Sequence, residues 1–214
     1  ASRPGGYFAE RRPGRCLRPM WSRVITEPRV ELLGALESVE FASPLVDIDN
    51  GQVAIGTQSG WFVGLSLAGQ PLFRYRTGAA IRGGVAADLS VGEIVVAADD
   101  GVLHNIHPAG RVRWTLGVDG AVSSPVVIQD DLIFLVTDSD VVLAVDRTQG
   151  TIVWRYEAPV VDGFSSSGHA GVLADDSRHV FAAFTNGIVV SLDAERGEAW
   201  WTRDTTEEVV GDAS

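Results

Sequence analysis

The chain has 214 residues, of which 45% are hydrophobic and 21% charged, with a formal net charge of −11. That composition can bury a sizeable core, while the acidic balance repels phosphate backbones and speaks against nucleic acid as a partner. No run approaches the ~18 apolar residues of a membrane-spanning helix, and the one cysteine, Cys16, has no second cysteine with which to form an internal disulfide.

Residues 1–20 are rich in Arg, Gly and Pro and are expected to form an extended segment, with a partner-binding arm as the alternative. All 17 basic residues are arginines. Seven of them precede residue 30 against two glutamates, Glu10 and Glu27, so this stretch carries +5 and the remainder −16. Residues 21–35 open with Trp21-Ser22-Arg23-Val24-Ile25, expected to be an outer strand without its blade, followed by a linker.

From residue 36 onward the sequence repeats. Gly69 is followed four residues later by Phe73, Gly110 by Trp114, Gly150 by Trp154 and Gly197 by Trp201. The aromatics are spaced by 41, 40 and 47 residues. A period near 40 is that of four-stranded propeller blades. Small residues open each unit: Ala42-Ser43-Pro44, Gly83-Gly84, Ser123-Ser124-Pro125 and Ser165-Ser166-Ser167. Two apolar runs follow, separated by a polar turn at Ser59-Gly60, Asp100-Gly101, Ser139-Asp140 or Asn186-Gly187. The expected fold is all-β, with four antiparallel blades at about 36–77, 78–117, 118–158 and 159–205. A blade has two apolar faces and cannot bury both alone, so neighbours must stack on it. Phe73, Trp114, Trp154 and Trp201, with Gly69, Gly110, Gly150 and Gly197, are therefore expected to be blade-docking residues.

These repeats resemble the PQQ-like, or quinoprotein-type, propeller family, whose signature resembles Ala-x-Asp-x-x-Thr-Gly-x-x-x-Trp. The third blade reads Ala144-Val145-Asp146-Arg147-Thr148-Gln149-Gly150-Thr151-Ile152-Val153-Trp154, with Gln149 in the Thr place. The fourth has Ser191, Asp193, Gly197 and Trp201 in the same frame, while the first two blades have a shorter turn and lack the Asp. The plain repeats look most like the BamB family of outer-membrane assembly scaffolds and related bacterial propellers. That resemblance implies a ring of seven or eight blades, of which four are visible. Residues 208–214 are expected to start a further blade, and further blades or another chain are expected to close the ring.

Sites of chemistry are sparse. His104 and His107 fall on a strand and its following turn and are expected on opposite faces. Asp47-Ile48-Asp49-Asn50-Gly51 has the composition of part of a calcium loop but sits at a hairpin, where a turn is expected. Ser165 to His169 is a blade opening rather than a triad. No catalytic, cofactor-binding or metal-binding residue is assigned. The candidate partner contacts are Trp61, which stands where other blades carry Val102, Val141 and Ile188; Trp200, expected to point away from Trp201; and Asp162, Phe164 and His169 in the longest blade. The expected function, implied by the resemblance, is a non-catalytic scaffold for protein partners, such as an envelope assembly complex, in the periplasm or at the outer membrane. The alternatives are a fragment of a PQQ-dependent dehydrogenase, which would carry adjacent cysteines, a calcium site and acid/base residues, or an extracytoplasmic sensor propeller.

Overall fold

Short β-branched runs punctuated by glycine and Asx turns favour strands throughout. The computed structural model describes residues 20–25, 29–31, 34–36, 42–159 and 171–205, and these contain strands and turns but no helix. A small antiparallel pair, β1 (Arg29–Glu31) and β2 (Gly34–Leu36), precedes four four-stranded sheets. The first blade is β3 (Leu45–Asp47), β4 (Gln52–Gly56), β5 (Trp61–Ser66) and β6 (Pro71–Arg76). The second is β7 (Val85–Asp88), β8 (Glu93–Ala97), β9 (Val102–Ile106) and β10 (Val112–Gly117). The third is β11 (Val127–Gln129), β12 (Leu132–Val136), β13 (Val141–Asp146) and β14 (Ile152–Glu157). The fourth is β15 (Gly171–Ala174), β16 (His179–Ala183), β17 (Ile188–Asp193) and β18 (Ala199–Asp204). Every sheet is a meander with its strands in sequence order and antiparallel pairing.

The β1–β2 pair falls where the sequence suggested a linker. No Asn-Gly or Gly stands between Glu31 and Gly34 to signal it. Residues 21–25, expected as a strand, join no ladder among the described residues.

The core lies between blades rather than inside them. Strand alternation sends Ile94 and Val96 of β8 towards Phe62 of the first blade, and Val95 and Ala97 towards Leu135 and Leu143 of the third. All five residues of β8 are buried because both of its faces are covered. The third and fourth blades meet through Phe134, Val136, Val142 and Trp154 on one side and Val172, Val180, Ala182 and Val190 on the other. The innermost strands β3, β7, β11 and β15 approach one another in chain order. Their entry is crowded: a Cβ on Gly83 would stand 2.6 Å from the Ser123 carbonyl oxygen of the next blade.

The outward faces of the end blades are barer. On the fourth, Leu173 is 70% exposed, and Phe181, the counterpart of the buried Phe134, is half-buried. On the first, Val46 is half exposed.

Candidate functional site: the blade interfaces and their outer grooves

The repeated aromatic and the repeated glycine meet across interfaces, with Phe73, Trp114 and Trp154 each reaching forward to the next blade. A Cβ on Gly110 would lie 3.0 Å from Phe73 Cβ. One on Gly150 would lie 2.5 Å from Trp114 Cδ2, and one on Gly197 2.6 Å from Trp154 Cδ2. These glycines have φ of +80°, +67° and +70°, so the turn requires a left-handed residue and the ring requires the missing side chain. Each indole also donates across the interface: Trp114 Nε1 to the Arg147 carbonyl at 3.0 Å, and Trp154 Nε1 to that of Ala194 at 2.8 Å. Trp21 does the same without a strand of its own. Its ring covers Gly69, and its Nε1 donates to the Leu67 carbonyl at 2.7 Å. Trp201, in the last described blade, is 39% exposed, whereas Trp154 is 9% exposed.

A bulge precedes each docking aromatic. Gly64 opposes Phe73 and Leu65 opposes Pro71, so Leu72 is the extra residue. Arg113, Val153 and Trp200 hold the same place in the other blades. This corrects the expectation that Trp200 points away from Trp201. The bulge breaks strict alternation, and both rings lie over one face: Trp200 against His179 at 5.6 Å and Trp201 against Phe181 at 6.1 Å, the latter two being neighbours on β16. Trp200 is 61% exposed. Trp61 is partly buried, with the guanidinium groups of Arg74 and Arg76 over its ring at 4.3 and 5.0 Å. Asp162, Phe164 and His169 lie outside the described residues.

The second and third blades are joined by an ionic cluster that the sequence did not reveal. Arg147, in the signature turn of the third blade, bonds through Nε to buried Glu93 and through Nη2 to Asp88 Oδ2 at 2.6 Å. Asn105 Nδ2 also donates to Glu93, and Arg147 Nη1 donates to the Asp130 carbonyl at 3.0 Å. The Ser90 hydroxyl, then Arg147, hold the Asp88 carboxyl below its usual range. Burial works to lower the Arg147 pKa, but its bonds to Asp88 and Glu93 outweigh this and raise it. Glu93 at the head of an apolar run was the available signal. It reads equally well as a turn residue.

Other polar groups are also committed to the interfaces. Tyr75 Oη and His104 Nδ1 lie 2.8 Å apart between the first and second blades. Burial lowers the His104 pKa and raises that of Tyr75. Asp140, at φ 58°, accepts from Thr185 N and Oγ1 of the fourth blade at 2.9 and 2.6 Å, which accounts for an Asp in a turn where other blades have Gly. His107 accepts from Ala109 N through Nδ1 in its own turn, well separated in role from His104. Asp47 accepts from Asn50 N and Nδ2 at 3.0 and 2.9 Å, the local turn expected there. Among the described residues no three His, Cys, Asp or Glu side chains converge as metal ligands. No described helix is long and apolar enough to cross a membrane.

An outer groove runs at each of the two interfaces that flank the third blade. The one between the second and third blades, of about 340 Å³, is lined by Glu93, Arg113, Trp114 and Arg147. The one between the third and fourth, of about 320 Å³, is lined by Leu132, Phe134, Val153 and Ala194, with acidic groups at its rim.

A sequence model of the outer membrane protein assembly factor BamB matches residues 61–213. BamB of Burkholderia pseudomallei strain K96243 is 27% identical over 133 residues, which is 62% of this chain and 34% of that protein. Among solved structures, BamB from Moraxella catarrhalis superposes with a TM-score of 0.68 at 25% identity, over 78% of this chain and 51% of that one. The quinohemoprotein alcohol dehydrogenase ADHIIG of Pseudomonas putida HK5 gives 0.64 at 15% identity, over 79% and 34%. The computationally designed Ika8 protein gives 0.59 at 17%, over 75% and 48%. The last two share the fold alone. The chain thus spans about a third of its curated relative and half of the BamB structure. With four PQQ-like blades and a sequence match over well beyond half its length, the chain belongs to the family of the outer membrane protein assembly factor BamB.

Proposed function

We propose that this chain is a non-catalytic scaffold that binds protein partners through its propeller surfaces in outer-membrane protein assembly, in the periplasm at the outer membrane. The observation that carries this reading is the family match over residues 61–213. The use of its polar side chains agrees with it: Arg147, Glu93, Asp88, Tyr75, His104 and Asp140 bond from one blade to the next and hold a rigid surface. The dehydrogenase likeness, at 15% identity, is one of fold alone. The test is deletion of the gene in its host, with fractionation of the tagged full-length protein. Loss of β-barrel proteins from the outer membrane, and recovery of the protein with an envelope assembly complex, are expected. Unchanged outer-membrane protein levels, or dye-reducing turnover of alcohols or sugars by the protein with added PQQ and calcium, would overturn the reading.

A further inference from the structure

The two outer grooves occupy the same place in successive interfaces but differ in chemistry. Where the groove between the second and third blades has Glu93 and Arg147, the next has Leu132 and Ala194. Where the bulged residue is Arg113 in the former, it is Val153 in the latter. The exchange of an ion pair for Leu and Ala leaves an apolar floor of Leu132, Phe134, Val153 and Ala194, with Val153 49% exposed. Above it stand the carboxylates of Asp130, Asp131 and Asp176, which are exposed and have no side-chain partner among the described residues. The one cation at the rim among the described residues, Arg178, is already engaged with Glu195 at 2.7 Å and Asp193 at 3.7 Å.

We propose that the groove between the third and fourth blades docks a segment of a protein partner that presents an apolar side chain beside arginine or lysine. This deepens the scaffold reading and rests on it. About 320 Å³ is near the lower end for small-molecule sites, so the groove accepts one or two side chains rather than a folded surface. The apolar side chain is held by burial against Leu132, Phe134, Val153 and Ala194. The cationic neighbour meets three carboxylates, each worth little singly in water. Together they steer encounter and fix orientation. Specificity follows from the adjacent groove, where the Glu93–Arg147 ion pair stands in place of Leu132 and Ala194 and offers the apolar side chain no apolar floor. An acidic or anionic partner is disfavoured by the same rim.

The probe is an acetylated and amidated heptapeptide, GSFRRSG, titrated into the isotope-labelled 214-residue protein and followed by amide chemical shifts. Saturable shifts at Leu132, Val153 and Ala194 are expected. Binding should weaken about five- to tenfold for the protein with Asp130→Asn, Asp131→Asn and Asp176→Asn together, and comparably for the peptides GSFEESG and GSARRSG. Ala194→Arg should abolish it by placing a side chain in the groove, with an unchanged melting temperature showing that the fold is intact. Equal binding of GSFRRSG and GSFEESG, retention of binding by Ala194→Arg, or absence of saturable shifts at millimolar peptide would each overturn the proposal. The two readings fail separately. A full-length Ala194→Arg protein that still co-purifies with its assembly partner sinks the groove and leaves the scaffold standing. Saturable peptide binding by a protein whose deletion leaves the outer membrane unchanged does the reverse.

Discussion

Replacing Gly150 with alanine separates two effects that the interface combines. The residue sits at φ +67°, where an L side chain costs about 1–2 kcal/mol. The new Cβ would also stand 2.5–2.8 Å from Trp114 Cδ2, Cε3 and Cγ, so the indole must move. Displacing it lengthens or breaks the 3.0 Å bond from Nε1 to the Arg147 carbonyl, worth about 1 kcal/mol, and loses about 1–2 kcal/mol of packing. The expected total is about 3–5 kcal/mol. Gly51 is the control: its φ is +66°, and an added Cβ would meet only Leu67 Cδ1 at 4.0 Å. Gly51→Ala should therefore cost about 1–2 kcal/mol from the backbone alone. In a Trp114→Ala background, Gly150→Ala should fall to the Gly51 value, giving a coupling of about 2 kcal/mol. Urea unfolding followed by far-ultraviolet circular dichroism measures all four variants. Equal costs for Gly150→Ala and Gly51→Ala, or strict additivity with Trp114→Ala, would refute the lock between ring and glycine.

Arg147→Met should lose about 3–5 kcal/mol because it strands buried Glu93 without its counter-charge. Combining Arg147→Ala with Glu93→Leu, the residue types used at the next interface, should recover most of that loss in the same assay. Trp154→Ala should cost about 3–5 kcal/mol as a buried aromatic truncation, and Trp201→Ala distinctly less in this 214-residue chain, since Trp201 is 39% exposed; equal losses would contradict the assignment of interface burial. Trp61→Ala should cost mainly its contacts with Arg74 and Arg76, about 0.5–1 kcal/mol for exposed cation–π pairs, and a loss as large as that of Trp154→Ala would rule out Trp61 as a surface anchor. His104 titrates below its ordinary 6.5 because it is buried. The unfolded chain then takes up the proton first as pH falls, so the stability this site contributes is full above about 6.5 and lost as pH drops towards the folded value. The urea midpoint should fall between pH 7.5 and 5.5 more steeply for the wild type than for His104→Gln, and parallel slopes would exclude His104 as the cause.

The blades were legible because the sequence states them four times. Turn glycines, apolar runs and the aromatic recur at one period, and each has a local physical reason. Spacing alone did not disclose which glycine serves which aromatic. Gly150 and Trp154 are four residues apart in sequence, yet Gly150 receives Trp114 of the preceding blade and Trp154 goes on to Gly197. The sidedness of Trp200 was misread because alternation assumes an unbroken ladder, and the bulge between Ser191 and Leu192 adds a residue that no composition signal marks. The cluster of Glu93 and Arg147 escaped notice because its members are 54 residues apart and each is ordinary in its own strand or turn. Trp21 was legible as an aromatic of the repeat class, and the structure supplies what it covers.

The forward reach of each aromatic sets the phase of the repeat. In the three locks between blades, one half, the ring, ends one sheet, and the other half, the bare glycine turn, belongs to the sheet that follows. A cut between blades therefore parts a ring from its seat, whereas a cut inside a blade, between the glycine turn and the aromatic, keeps each pair on one piece. The unit that could be duplicated, deleted or grafted with its coupling intact runs from one aromatic to the next glycine, as from Trp114 to Gly150, and straddles two sheets. Shuffling experiments that cut in that frame should preserve cohesion between neighbours, and those that cut at sheet boundaries should require a matched ring and turn to be rebuilt at each junction.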